Sequence, residues 1–178
     1  MRQPMRLLLL LLLLPLYACT SAVPERIRSA PEGSPSLPLV INSPERYLNT
    51  QVRWGGTIAN VQNLTGETHI EIVARELAAD GEPRTLDSSE GRFIAIFNRF
   101  LDPAIHAIDR SLTVRGQITG TTTKQLGEME YRYPVVKVEA YYLWPKPLPR
   151  YDYYDPFLYD PWYPYRYPYP WYRHPYYY

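Results

Sequence analysis

Apolar and polar residues alternate in several segments of the chain, a pattern typical of strands with one buried and one solvated face. In the clearest segment, apolar residues occupy every second position from Leu112 to Ile118, apart from the small Gly116. Residues 70–75 and 136–142 alternate in the same way, residues 93–97 are continuously apolar, and residues 51–61 contain the pair Gly55-Gly56. These segments predict five strands, and the glycine pair predicts a bulge or a sharp bend.

One segment of the middle region has a helical pattern instead. Between Leu101 and Arg110, Ile105 and Ile108 are three positions apart and follow Asp102-Pro103, a pair suited to a helix N-cap and first turn. A helix after the third of five strands predicts a mainly β fold, a small five-stranded OB-like barrel with one short helix. A plain β-sandwich is the alternative architecture.

The first 18 residues have the layout of a secretory signal peptide. Arg2 and Arg6 precede the apolar run Leu7–Leu14, which is too short to span a bilayer. Cys19, the only cysteine, follows directly, and Leu16 to Cys19 resembles the lipobox of bacterial lipoproteins. That resemblance implies a diacylglyceryl group on Cys19, and Thr20 in the next position implies sorting to the outer membrane. An ordinary signal peptide, cleaved without lipidation, is the alternative.

Two segments of unusual composition flank the predicted barrel. Residues 19–42 contain several prolines and few apolar residues, which predicts a flexible, disordered tether between the lipid and a domain at residues 43–146. Residues 147–178 form a low-complexity tail, and more than half of the residues from Arg150 to Tyr178 are aromatic, with six prolines among them. Proline at that density predicts an extended segment without helix or central strand.

Charge and motifs exclude several functional classes. The chain has 19 basic and 18 acidic residues, and removal of residues 1–18 takes away Arg2 and Arg6 and leaves 17 against 18. This balance gives no electrostatic basis for binding nucleic acid. The chain has no recognisable catalytic, phosphate-binding or cofactor motif, so no enzyme and no cofactor is predicted. A metal on His106 and Asp109 is the weaker alternative to two solvated side chains.

Several motifs of the middle region resemble the Slp family, the starvation-inducible outer membrane lipoproteins of Gram-negative bacteria. The resemblance covers about Leu39 to Trp144 together with the lipobox cysteine, and the tail lies outside it. It implies attachment to the outer membrane and no established enzymatic activity. The motifs are VRWGGTIANVQN (Val52–Asn63), GRFIAIFNRFLDP (Gly91–Pro103), LTVRGQITG (Leu112–Gly120), GEMEYRYPVVKV (Gly127–Val138) and YLW (Tyr142–Trp144).

Three residues are candidates for ligand binding. Trp54, beside the glycine pair, is suited to stacking on a ligand at an OB-type face, and a core tryptophan is the alternative. Arg92 and Asp102 are suited to reading a polar ligand, and the alternatives are an interstrand ion pair and a helix cap.

The predicted function is that of a non-enzymatic outer membrane lipoprotein with a structural or stress-related role in the cell envelope. Its aromatic tail is predicted to contact peptidoglycan, lipopolysaccharide or another envelope protein, because aromatic faces stack on sugar rings and supply rigid contact area. A tail without any function is the simpler alternative. The second predicted function is an OB-like binding module for a small ligand or oligosaccharide in the periplasm.

Overall fold

The computed structural model describes residues 22–146. The predicted signal peptide, Cys19 and the tail at residues 147–178 lie outside these described residues. Within them the chain forms two short helices, a 3₁₀ turn and five strands. In order these are α1 (Glu25–Arg28), α2 (Leu37–Asn42), the 3₁₀ turn (Pro44–Tyr47), β1 (Gln51–Leu64), β2 (Glu67–Ala74), β3 (Gly91–Phe97), β4 (Ser111–Leu126) and β5 (Met129–Leu143).

The five strands close into a barrel in the order β1-β2-β3-β5-β4. Neighbouring strands are antiparallel except β3 and β5, which pair in parallel over Ile94–Ile96 and Val135–Lys137. The prediction of a mainly β, five-stranded OB-like barrel is therefore confirmed. A β-sandwich does not fit, because one sheet closes on itself.

The barrel interior is filled by the apolar residues that the alternation predicted. Leu112, Val114, Gly116 and Ile118 all face inward on β4. Helix α2 and the β3–β4 loop add further side chains to this core. The core comprises Leu37, Val40, Val52, Trp54, Ile58, Ile70, Ile72, Ala74, Phe93, Ala95, Phe97, Leu101, Leu112, Val114, Ile118 and Val136.

Strand β5 changes its inward face part of the way along. Val136 and Val138 face the core as predicted, but Ala140 and Tyr142 do not continue this face. Ala140 pairs with Arg115 and Val138 pairs with Gly116, so Glu139 is an extra residue in a β-bulge. The bulge reverses the alternation, and Tyr141 and Leu143 pack on the core instead.

The bulge predicted at the glycine pair of β1 is not found there. The register shift of β1 lies between Ile58 and Asn60, whereas Gly55 and Gly56 pair with β4 in continuous register. A Cβ at Gly56 would lie 1.9 Å from the Val73 carbonyl oxygen. Glycine is therefore required here for close approach of β1 and β2, not for a bulge.

The short helix predicted between Leu101 and Arg110 is reduced to one turn. Asp102 caps it as predicted, since the Ala104 amide donates to Asp102 Oδ1 at 2.8 Å, and the His106 amide donates to the Asp102 carbonyl. The chain then leaves the helical path at Asp109, which has φ 67°. The Asp109 amide donates to the Ile58 carbonyl, so pairing with β1 replaces further helical turns.

Residues 22–42 differ from the predicted tether. They form α1 and α2, and Ile27, Leu37 and Val40 are completely buried. The segment has few apolar residues, but most of its large apolar side chains pack against the barrel. Composition alone underestimates such a segment, because the surface that buries it comes from distant parts of the chain.

Candidate functional site

Cys19, the predicted lipidation site, lies outside the described residues. Its lipidation stays a prediction, as does the assignment of the three candidate ligand residues. The structure does give the surroundings of Trp54, Arg92 and Asp102.

The Trp54 ring lies inside the barrel and is 6% exposed. It contacts Phe93 in an edge-to-face arrangement at 5.4 Å between ring centroids, and its Nε1 donates to the Pro35 carbonyl at 3.0 Å. This is the position of a core tryptophan. A cavity of about 250 Å³ lies beside it, between residues 30–36 and the ends of β1 and β2.

The basic groups that line this cavity already have protein partners. The Arg53 guanidinium donates to the Ile27 carbonyl at 3.0 Å and to the Arg28 carbonyl. Burial lowers the pKa of Arg53, and Asp80 partly opposes this effect. Arg75 Nη1 donates to two carbonyls of the 86–88 segment, at 2.6 and 2.7 Å. These arginines hold loops against the barrel, and Arg53 in particular fixes the end of α1.

Arg92 faces the outside of the barrel, opposite to Phe93 and Trp54. Its Nη1 forms an ion pair with Glu71 Oε1 at 2.6 Å across β2 and β3. Tyr133 donates to the same carboxylate oxygen at 3.1 Å. Burial, followed by the negative charge of Glu71, raises the pKa of Tyr133. The cluster joins β2, β3 and β5 on their outer face, and it contains the interstrand ion pair that is the alternative interpretation of Arg92.

Asp102 lies in the β3–β4 loop, where its side chain caps the turn. The structure does not bring it together with Trp54 or Arg92, since these lie inside the barrel and on its outer wall. Asp109 is exposed and His106 is buried. Among residues 22–146, no group of three or more His, Cys, Asp or Glu side chains is arranged to hold a metal ion.

The structure contains a hydrogen-bonded cluster on the outer wall of the barrel, centred on Thr113. The alternation of apolar and polar residues does not predict it. The Thr113 hydroxyl donates to the Gly81 carbonyl at 2.6 Å and accepts from Trp144 Nε1 at 2.9 Å. Gly81 lies against Ile27, because a Cβ at Gly81 would be 2.7 Å from the Ile27 carbonyl oxygen. The cluster thus joins α1, the β2–β3 loop, β4 and the residue that follows β5. Threonine is common at the outward positions of an alternating strand. The sequence therefore gives no sign that Thr113 is the centre of a buried hydrogen-bonded cluster.

The β3–β4 loop, residues 98–110, presents the most unusual surface. Phe100, Ile105 and Ile108 are 68%, 55% and 60% exposed, although they are large and apolar. Leu101 and His106 of the same loop are buried. The loop therefore buries Leu101 and His106 and exposes three large apolar side chains.

The geometry describes a small closed barrel stabilised by packing, with its conspicuous polar groups engaged in structural contacts. Within residues 22–146, no helix is long and apolar enough to cross a membrane. These features define a small closed-barrel β-domain. The chain belongs to the outer membrane lipoprotein Slp family, whose model matches residues 16–177.

Individual relatives agree with this assignment. The chain is 34% identical over 123 residues to an uncharacterized lipoprotein, YeaY, of Escherichia coli K12, covering 68% of this chain and 63% of the relative. It is 29% identical over 131 residues to outer membrane protein Slp of the same organism, covering 72% and 69%. The match to YeaY thus spans less than two thirds of that relative. The resemblance drawn from the motifs is confirmed, and the chain is an outer membrane lipoprotein.

The family match changes one expectation about the tail. The motif resemblance ends near Trp144, whereas the family match continues to residue 177 and includes nearly all of the aromatic segment.

A solved structure, a small single-stranded DNA-binding protein from Streptomyces coelicolor, aligns with 53% of this chain and 94% of that chain. Its TM-score is 0.35 at 11% identity, which is too low to support an argument.

Proposed function

We propose that the chain is a non-enzymatic lipoprotein that lipids on Cys19 hold in the outer membrane, with a structural or stress-related role in the envelope. The family match is the observation that supports the lipid anchor. It begins at residue 16, three positions before the only cysteine. Burial of acyl chains contributes about 0.8 kcal/mol per CH₂, so the two or three chains of a lipoprotein give stable attachment.

Replacement of the cysteine tests the anchor directly. Cys19→Ala should abolish incorporation of labelled fatty acid and release the protein from outer membrane fractions. Ser21→Ala, two positions further on, is the matched control and should retain both the label and the membrane fraction. Normal acyl labelling of the Cys19→Ala protein would refute the proposal.

The aromatic tail is proposed as the segment that contacts peptidoglycan, lipopolysaccharide or another envelope protein. Support comes from its composition, in which aromatic residues are the majority from Arg150 to Tyr178, and from the family match, which includes it. The tail carries three arginines and three aspartates, so aromatic contact rather than net charge is the expected source of affinity.

Sedimentation with purified peptidoglycan, and separately with lipopolysaccharide, tests this role. The full mature chain should sediment with one of them, and the chain without residues 150–178 should not. Replacing the tail tyrosines with serine should have the same effect as the deletion. Replacing the three tail arginines and three aspartates with glutamine and asparagine is the control and should change binding little. Equal sedimentation of the full and shortened chains would contradict an adhesive tail.

The cavity beside Trp54 supports a second candidate function, an OB-like module that binds a small ligand or oligosaccharide. The cavity is open to solvent, and Glu76 and Glu90 add acidic groups to its lining. Arg92 lies outside this cavity. Saturable ligand binding that Glu90→Gln weakens, with an unchanged unfolding midpoint, would favour this function over the first. No saturable binding of any member of a library of envelope sugars would exclude it for that class.

A further inference from the structure

Both ends of the β3–β4 loop are hydrogen-bonded to the barrel, while three of its large apolar side chains are exposed. The Leu101 amide donates to Thr68 Oγ1 at 3.0 Å, and Asn63 Nδ2 donates to the Leu101 carbonyl at 3.2 Å. At its other end, the loop pairs with β1 through Ile58. The backbone beside Phe100 and Ile108 is therefore attached to the barrel. Backbone that is already hydrogen-bonded loses less conformational entropy when neighbouring side chains are covered.

Three exposed large apolar side chains in one short loop need an explanation that singly exposed side chains do not need. A single exposed leucine or isoleucine needs no explanation, whereas a concentration of them marks a surface that binds a partner or a membrane. The charged residues of the same loop balance, since Arg99 and Arg110 are matched by Asp102 and Asp109. The partner is thus expected to offer an apolar surface rather than a charged one.

A continuous series of contacts connects this loop to the N-terminal part of the described chain. Arg110 Nη1 donates to the Ile105 carbonyl at 3.1 Å, and its Nη2 donates to the Trp144 carbonyl at 2.7 Å. Trp144 in turn binds Thr113, which binds Gly81, and Gly81 lies against the carbonyl of Ile27. Helix α1 and the loop are thus both connected to the start of β4 and to the residue that follows β5.

Chain length then places this region close to the bilayer. Ile27 is fully buried against the barrel, and it is only eight residues from Cys19. Eight residues span at most about 29 Å when fully extended. A lipid on Cys19 would therefore keep α1, and with it this side of the barrel, within about one bilayer thickness of the membrane surface.

We infer that Phe100, Ile105 and Ile108 form a second membrane contact, in which the β3–β4 loop inserts its apolar side chains into the lipid surface to which Cys19 is anchored. This inference rests on the lipid anchor proposed above. The occupant is the phospholipid surface itself, because the anchor brings it within reach and because the loop offers protruding apolar side chains among charges that balance.

The chain offers a clean labelling experiment, because the thiol of Cys19, the only native cysteine, is consumed by the lipid. Ile105→Cys then carries the single free thiol of the lipidated full-length protein and accepts an environment-sensitive NBD fluorophore. Met129→Cys is the matched control. Met129 is also apolar and 71% exposed, but it lies at the β4–β5 hairpin, a whole strand length away from the loop.

The labelled proteins are reconstituted into phosphatidylcholine vesicles with and without brominated phosphatidylcholine. For the label at position 105 we expect a blue-shifted emission and loss of intensity with brominated lipid, and for the label at 129 neither effect. The same result is expected with Phe100→Cys. Because the loop is neutral, replacing part of the lipid by phosphatidylglycerol should change little.

The outcomes separate the two proposals. If the protein floats with vesicles but positions 105 and 129 give the same spectra and quenching, the anchor stands and the second membrane contact is refuted. A blue shift at 105 without quenching by brominated lipid would mean that protein, either the tail or a second copy, covers the loop, and this also refutes the inference. Failure of the wild-type protein to float would overturn the anchor and the inference together.

Discussion

The substitution Gly116→Ala is expected to destabilise the barrel strongly, although it adds a single methyl group. A Cβ at this position would lie 2.1 Å from the Lys137 carbonyl oxygen and 2.9 Å from its carbon. Both atoms belong to the backbone of β5, so no side chain rotation relieves the contact. Strands β4 and β5 have to separate by about 1 Å to restore a normal van der Waals distance.

The cost follows from what the separation disrupts. Overpacking of a dense interior costs about 1–3 kcal/mol. Loss of one or two ladder hydrogen bonds beside the bulge at Glu139 adds about 1 kcal/mol each. We therefore expect the free energy of unfolding to fall by about 3 kcal/mol, which for a domain of this size lowers Tm by about 10 °C. Gly116→Leu should cost at least as much.

Denaturant and thermal unfolding of the mature chain, followed by circular dichroism, provide the measurement. Thr121→Ala, at an exposed position of the same strand, is the control and should change the free energy of unfolding by less than about 0.5 kcal/mol. An equally small change for Gly116→Ala would show that β4 and β5 do not approach each other as closely as the structure has them.

Three further predictions concern single side chains. Thr113→Val should cost about 2–3 kcal/mol in urea unfolding, because the buried Gly81 carbonyl and Trp144 indole both lose their partner; an unchanged midpoint would argue against this cluster. Ile27→Ala should cost about 2–4 kcal/mol, whereas a free tether would show no effect. Tyr133 has a pKa raised above the ordinary value of 10.0, so its contribution to stability is present below that pH and lost as the pH rises through the folded pKa. Tyr133→Phe should therefore flatten the fall of Tm in this alkaline range.

The barrel could be predicted because each strand buries one face. Burial of one face produces alternating apolar and polar residues within a few neighbouring positions of the sequence. Leu112 to Ile118 shows this directly. The change of face on β5 could not be predicted, since the extra residue at Glu139 is defined only by pairing with Arg115 and Gly116 of β4. Bulges depend on the neighbouring strand as much as on their own sequence.

The candidate site illustrates the same limit. The sequence identifies Trp54, Arg92 and Asp102 as candidates, but it does not show that Trp54 faces the core, that Arg92 faces outward, or that Asp102 lies apart from both in a loop. The loop from 98 to 110 shows a related limit. Ile105 and Ile108 have helical spacing, and spacing alone does not tell whether an apolar side faces the core or an outside partner.

The packing of residues 22–42 also bears on how far the domain can lie from the membrane. If residues 19–42 were a free tether, the chain from Cys19 to Ser43 could extend over about 86 Å. With Ile27 buried against the barrel, only eight residues remain, and the reach falls to about 29 Å. If lipids on Cys19 anchor the chain as proposed, the domain itself stays close to the membrane. A contact with peptidoglycan is therefore expected from residues 147–178, whose fully extended contour would be about 110 Å.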